Sequence, residues 1–222
     1  MNPSDTVIAI DLHGVLFRHD YKKMVATAFK SKQKLTLIRA LLSPSLWKDI
    51  IKLIRKGAVA EEFLVGLAET HQRLKPFVQL GITIANQQRP NESLIQLLKQ
   101  LKKQGYELYL FSNIGSIIFD DLRKKFPTIF NMFKSFTVPE KSTGYIRKPN
   151  SNAFRKYLET NNLTKKKIIL IDDKNRNVQA AQQQGIHAIL FRSVDQLEQE
   201  LKTIDLLDYT NHNQTAQSEK KY

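Results

Sequence analysis

With 222 residues, 41% of them hydrophobic and 25% charged, the chain has an ordinary globular composition and is long enough for one domain with a real core plus an insertion. It has no cysteine, which excludes disulfides, a thiol nucleophile and a cysteine-ligated metal, and no apolar run approaches membrane-spanning length. The formal net charge of +14 favours anionic partners: phosphorylated substrates, nucleic acid or acidic lipid surfaces.

No basic segment followed by an apolar one opens the sequence, so the expected location is the cytoplasm. After a short polar lead, Val7, Ile8, Ala9 and Ile10 form an apolar, β-branched run that predicts a buried strand, with Asp11 directly after it and Gly14 suited to a tight turn. Residues 18 to about 88 read as helical, with no convincing strand. Ser43-Pro44 predicts a helix start, with Leu46, Trp47, Ile50, Ile51, Leu53 and Ile54 on one side and Lys48, Lys52, Arg55 and Lys56 on the other; Gly57 suits its end. A further helical stretch is expected from about Glu61 to Leu74. Between Arg18 and Gly57 eleven basic residues face only Asp20 and Asp49. That basic face is either plain solvated surface or a contact for an acidic partner, nucleic acid or an anionic membrane.

Arg89-Pro90-Asn91 marks a boundary. Leu94, Leu97, Leu98 and Leu101 repeat at helical spacing and Gly105 ends that helix. Tyr106 to Phe111 is the next predicted strand, running into Ser112-Asn113, and 116 to 126 is helical. Pro127 to Pro149 reads mostly as loop, with a short strand near Phe136 to Val138. A helix opens at Asn150 or Ser151, and Ile168 to Ile171 is a strand ending in Asp172-Asp173. A helix from about Asn175 to Gln184, a strand from His187 to Phe191 and a helix from about Val194 to Lys202 complete the pattern. The tail from 209 is polar and expected to be disordered. Strands alternating with helices predict a doubly wound parallel α/β sheet, built from 1–17 and 89–208, with 18–88 inserted as a helical cap.

If the strands are parallel, Asp11, Ser112, Asp172, Asp173 and the loop residue Lys148 converge over one carboxyl edge of the sheet. Carboxylates held close together repel unless a cation neutralises them, and oxygen ligands of this kind suit magnesium. A lysine and a hydroxyl could then hold phosphoryl oxygens, and Asp11 could attack phosphorus.

These stretches resemble the motifs of the haloacid dehalogenase superfamily. Asp11-Leu12-His13-Gly14-Val15-Leu16 is similar to motif one, Phe111-Ser112-Asn113 to motif two and Arg147-Lys148-Pro149 to motif three. Asp172-Asp173 with Asn177, Ala180, Ala181 and Gly185 is similar to motif four. The resemblance implies a magnesium-dependent phosphatase with Asp11 as nucleophile. Ser112 and Lys148 would bind the phosphoryl group, Lys148 pairing with the nucleophile Asp11 as well. Asn113 would either join them or be structural, and Asn177 is open in the same way. Asp11, Asp172, Asp173 and the backbone carbonyl of His13 would hold Mg2+. The family's second motif-one aspartate, the general acid and base, is His13 here. Histidine can exchange protons near neutral pH. Three readings therefore stand: a working phosphatase, a catalytically impaired binding or regulatory protein, and a hydrolase acting on something other than a phosphomonoester. An acidic-surface or nucleic-acid binder that needs no magnesium is a separate expectation.

Overall fold

The computed structural model describes residues 2–30, 75–140 and 146–207, together with Pro44, Lys48, Gly66, Ala68 and Gly144. Five parallel strands form the sheet: β1 (Thr6–Ile10), β4 (Glu107–Phe111), β5 (Ser135–Thr137), β6 (Lys167–Asp172) and β7 (His187–Leu190), in the order β5-β4-β1-β6-β7. The chain leaves β1 toward one side, builds β4 and β5, and returns to the other side for β6 and β7. The reversal of strand order therefore falls at β1, where open α/β sheets bind ligands.

Alternation along β1 sends its side chains to two cores. Ile8 and Ile10 join one buried cluster, which includes Leu94, Leu98 and Leu101 of α3 (Glu92–Lys103), Phe119 and Leu122 of α4 (Ser116–Lys125) and Leu197 and Leu201 of α8 (Val194–Thr203). Val7 and Ala9 join the other, with Phe154 and Tyr157 of α6 (Ser151–Thr160) and Val178 and Ala181 of α7 (Asn175–Gln182). Helices thus cover both faces, which is why the strands read as continuous apolar runs. Asn150 caps α6 by accepting from Asn152 N, and Ser193 caps α8 by accepting from Gln196 N. The described helices of the core agree with the sequence expectation to within a few residues. A single-turn helix, α5 (Pro127–Phe130), sits where loop was expected.

One expectation is corrected. The sequence predicts no strand in 18 to 88, but Phe17–His19 forms β2 and Gln88–Pro90 forms β3, paired antiparallel with His19 opposite Gln88. Three-residue strands are too short to show alternation, and Pro90 argues against a strand on local grounds. Asp20 N donates to Gln87 O at 2.8 Å, so the two ends of the intervening segment lie side by side. Within that segment α1 (Tyr21–Lys30) packs on α2 (Lys75–Ala85), and Ile82 of α2 enters the first core cluster. Pro44 and Lys48 are helical and exposed. The rest of the expected helix at 43–57 and most of that at 61–74 lie outside the described residues, as does the tail from 208. No helix among the described residues is long and apolar enough to cross a membrane.

Candidate active site

Strand register brings the acidic groups together. Ile10 pairs with Ile171, and Asp11 N donates to Ile171 O at 2.9 Å, so Asp11 and Asp172 stand side by side at the carboxyl end of β1 and β6. Ser112 follows β4 on the other flank and is buried. After Asp11 the chain folds back tightly: Phe17 N donates to Leu12 O and Gly14 N to Phe17 O, each at 2.8 Å.

Lys148 enters from the loop after β5 and is enclosed. Its Nζ donates to Asp11 Oδ1 at 3.1 Å, to Asp172 Oδ2 at 2.6 Å and to Phe111 O at 2.6 Å, and it lies 4.9 Å from the Phe111 ring centre. An ammonium has three protons, so in this arrangement Lys148 offers none to a substrate oxygen. Its part is to hold Asp11 and Asp172, and the expected direct contact with a phosphoryl group requires it to give up one acceptor. Burial works against the ammonium, but the Asp11 and Asp172 carboxylates outweigh it and hold the Lys148 pKa above the ordinary lysine value.

Of the two readings the sequence leaves open, structural and substrate-facing, the geometry favours the structural one for Asn113. Its Nδ2 donates to Lys148 O at 2.7 Å and its Oδ1 accepts from Lys148 N at 2.9 Å. The carboxamide thus grips the Lys148 backbone instead of presenting itself to substrate. Asn177 does the same for an acid: its Nδ2 donates to both Asp172 oxygens at 2.9 and 3.0 Å, while Lys174 N donates to Asp172 Oδ1 at 2.9 Å.

Ligand atoms of Asp11, Asp172 and Asp173 lie within 4.8 Å of one another. Asp172 is saturated with donors, whereas Asp173 Oδ1 is buried with no hydrogen-bond partner. Three carboxylates face one enclosed ammonium, and a buried oxygen is left over. That donor set fits a hard divalent cation such as Mg2+. The electrostatics agree. Burial, with Asp172 adding to it and Lys148 opposing, raises the Asp11 pKa above its ordinary value, and burial likewise raises that of Asp173.

Gly14 is dictated by Asp173. Its φ is +86°, and a Cβ there would lie 2.2 Å from Asp173 Oδ2. Gly14→Ala is therefore expected to lower stability by about 1–2 kcal/mol from the left-handed backbone alone. It should also displace Asp173, weakening Mg2+ binding well beyond the loss in thermal midpoint, which calorimetric titration checks.

His13 is half-buried. Burial foremost, then the nearby charges of His19 and Lys174, push its pKa down to about 4, a sign the sequence left open. The His13 and His19 rings stack with centroids 5.4 Å apart, and His13 Nε2 lies 2.7 Å from Gln88 Nε2. Sequence reasoning gave no role to His19, Gln88 or Lys174. Lys174 was findable, because it follows the acidic pair directly. Gln88 was not, because it lies 75 residues from His13 and arrives only through the β2–β3 pairing.

Residues 21–191 match the model of a family described as haloacid dehalogenase-like hydrolase; Asp11 and His13 precede that span. No curated protein matches the chain significantly. Among solved structures, the chain is similar to a haloacid dehalogenase family enzyme from Bacteroides thetaiotaomicron, at 21% identity and a TM-score of 0.60 over 87% of this chain and 98% of that one. The wild type of that enzyme in complex with magnesium and inorganic phosphate matches at 21% identity and a TM-score of 0.59, over 86% and 98%. L-2-haloacid dehalogenase from Xanthobacter autotrophicus, with chloropropionic acid covalently bound, matches at 14% identity and a TM-score of 0.57, over 92% and 84%.

Proposed function

The chain belongs to the haloacid dehalogenase-like hydrolase family, and on that premise we propose that it is a magnesium-dependent phosphatase of small phosphomonoesters, working through an aspartyl-phosphate at Asp11. The observation that carries this reading is the surplus of carboxylate at the sheet edge, two groups buried and one half-buried. Among the described residues Asp11, Asp172 and Asp173 share only the Lys148 ammonium as an enclosed counter-charge, which suits a site that also takes a cation and an anion together. That the Bacteroides enzyme is described in complex with magnesium and inorganic phosphate supports the same reading. Asp11, Asp173 and the His13 backbone carbonyl would hold Mg2+, and Asp172 would join them by giving up one of its donors; the ion when bound supplies charge that offsets the carboxylates and polarises a phosphoryl oxygen.

The chain's own residues then divide the work. Lys148 and Asn177 fix Asp172, and Lys148 orients the Asp11 oxygen it touches, leaving the other as the attacking atom. A bond forms from Asp11 to phosphorus as the bond to the leaving oxygen breaks, and water later attacks phosphorus and restores the carboxylate. Ser112, at the end of β4, would hold a phosphoryl oxygen. Residues 18–88 would form the cap, entering and leaving the core through β2 and β3.

A second reading is favoured by the half-buried, Gln88-bonded setting of His13, whose low pKa makes it a poor acid near neutral pH. On that reading Asp11 accepts a phosphoryl group but turns over slowly, as suits a binding or regulatory role. Phosphate release from a panel of phosphomonoesters, with Mg2+ and with chelator, tests both. Mg2+-dependent release by the wild type supports the phosphatase. Release only after His13→Asp supports the second reading. Undiminished release in chelator would overturn the metal dependence.

A further inference from the structure

Gln88 is buried at the start of β3, opposite His19 of β2, and it reaches the residue in the acid/base position. Its Nε2 lies 2.7 Å from His13 Nε2 and 3.0 Å from Ala85 O. A backbone carbonyl only accepts, so the Gln88 atom facing Ala85 must be the nitrogen. Exchanging the two carboxamide atoms would set oxygen against oxygen at 3.0 Å. One proton of the NH2 group thus goes to Ala85 and the other to His13. A ring nitrogen that receives an N–H presents its lone pair, so His13 carries its proton on Nδ1. His19 stacks on the ring at an interplanar angle of 20°, so the ring is held by His19 as well as by Gln88, and a backbone bridge to Phe17 fixes the main chain of His13.

We propose that Gln88 is a positioning residue that holds His13 as the neutral Nδ1–H tautomer with its Nε2 lone pair occupied, and that the site consequently prefers acyl and aryl phosphates to alkyl phosphates. The second clause rests on the phosphatase reading above. The neutral ring is too weak an acid to protonate a leaving oxygen, and a doubly protonated ring would point an N–H at an N–H. When the bond from Asp11 to phosphorus forms, the leaving oxygen departs with the electron pair of the broken bond. A carboxylate or phenoxide carries that pair without a proton, whereas an alkoxide does not. Water then attacks phosphorus, its hydroxyl stays on the orthophosphate, its second proton passes to solvent, and the Asp11 carboxylate is regenerated.

The test has two arms on the full chain with Mg2+ at neutral pH. In the first, long-range proton–nitrogen correlation spectra of 15N-histidine-labelled protein read the ring, with His13 identified by its absence from His13→Asn. The wild type should show an acceptor-type Nε2 and a donor-type Nδ1. Gln88→Met should release the ring toward the Nε2–H form, and Gln88→Glu, which offers an acceptor, should move the proton to Nε2. A donor-type Nε2 in the wild type overturns the proposal, even if both variants misfold. So does a ring unchanged in both variants. In the second arm, kcat/KM is compared for acetyl phosphate, p-nitrophenyl phosphate and glycerol 3-phosphate in wild type and His13→Asp. Supplying an acid should narrow the ratio of acyl or aryl to alkyl substrate by roughly 10²-fold, the low end of what general acid catalysis contributes. An unchanged ratio overturns the substrate preference. Silence toward all three substrates in both proteins overturns the phosphatase reading and with it the preference, while the spectra decide the role of Gln88 on their own.

Discussion

Asp11→Asn is expected to reduce phosphate release by at least about 10³-fold while leaving the fold at least as stable as the wild type in chelator. The two effects have one cause. Burial raises the Asp11 pKa, so the ionised carboxylate, which on the proposed mechanism would attack phosphorus, is the form the folded protein tolerates least. Its folded-state pKa exceeds the ordinary value of 3.8, so its contribution to stability is greatest below that value and is lost as pH rises through the raised one. A neutral carboxamide removes that penalty at neutral and alkaline pH. It also keeps an oxygen that can accept from Lys148 Nζ, which lies 3.1 Å from Asp11 Oδ1. Activity and stability should therefore move in opposite directions, as is common where a site stores unfavourable charge. The measurement is steady-state phosphate release beside thermal midpoints in chelator at pH 5 and pH 8. The variant should gain on the wild type at pH 8 and less so at pH 5. Retained turnover, with mass spectrometry excluding deamidation and contaminants excluded, would sink the covalent mechanism. A loss of midpoint at pH 8 would sink the electrostatic account of Asp11.

The same burial predicts what metal does. Asp11 and Asp173 both have raised pKa values without metal, so protons and Mg2+ compete for the same oxygens. Added Mg2+ should raise the thermal midpoint more at pH 8 than at pH 5, and a larger shift at pH 5 would contradict the assignment.

The sheet and its acidic edge were legible because they follow from short-range patterns. Val7 to Ile10 and Ile168 to Ile171 are apolar runs ending in acids, and parallel pairing then places Asp11 beside Asp172. What escaped the sequence depends on partners far along the chain. The β2–β3 pairing joins His19 to Gln88 with three residues on each side, too few for any periodicity to show. Lys148 was legible as a site residue and as the partner of Asp11, but the engagement of all three of its protons was not. Only the enclosed geometry shows that Phe111 O takes its third proton, and that Asn113, one residue past Ser112, is turned to the Lys148 backbone. An identity can be read from a motif, but the saturation of its donors depends on three strands meeting.

That saturation makes Lys148 the position where a substitution should cost the fold most. Lys148→Met keeps length and apolar bulk but removes the ammonium, leaving Asp11 and Asp172 buried against each other and Phe111 O without its donor. Removing one partner of a buried ion pair typically costs about 3–5 kcal/mol, against a total stability of about 5–15 kcal/mol for a domain. For a chain of this size that corresponds to a fall in thermal midpoint of roughly 10 °C. Loss of the ammonium also removes the charge that restrains the Asp11 pKa, so the folded state of the variant should hold protons more tightly still. A carboxylate with a raised folded-state pKa stabilises below its ordinary value and loses that contribution as pH rises, so the deficit should be smaller at pH 5 than at pH 8. Mg2+ should recover part of it at pH 8 by supplying positive charge beside the carboxylates, while activity stays lost. Lys202→Met, at the last turn of α8, is the control for removing a lysine remote from this cluster. If Lys148→Met lowers the midpoint no further than that control, the buried ammonium is not what holds the acidic edge together. If the deficit is as large at pH 5 as at pH 8, the lost packing and the orphaned Phe111 carbonyl, not the repulsion of the two carboxylates, set its size.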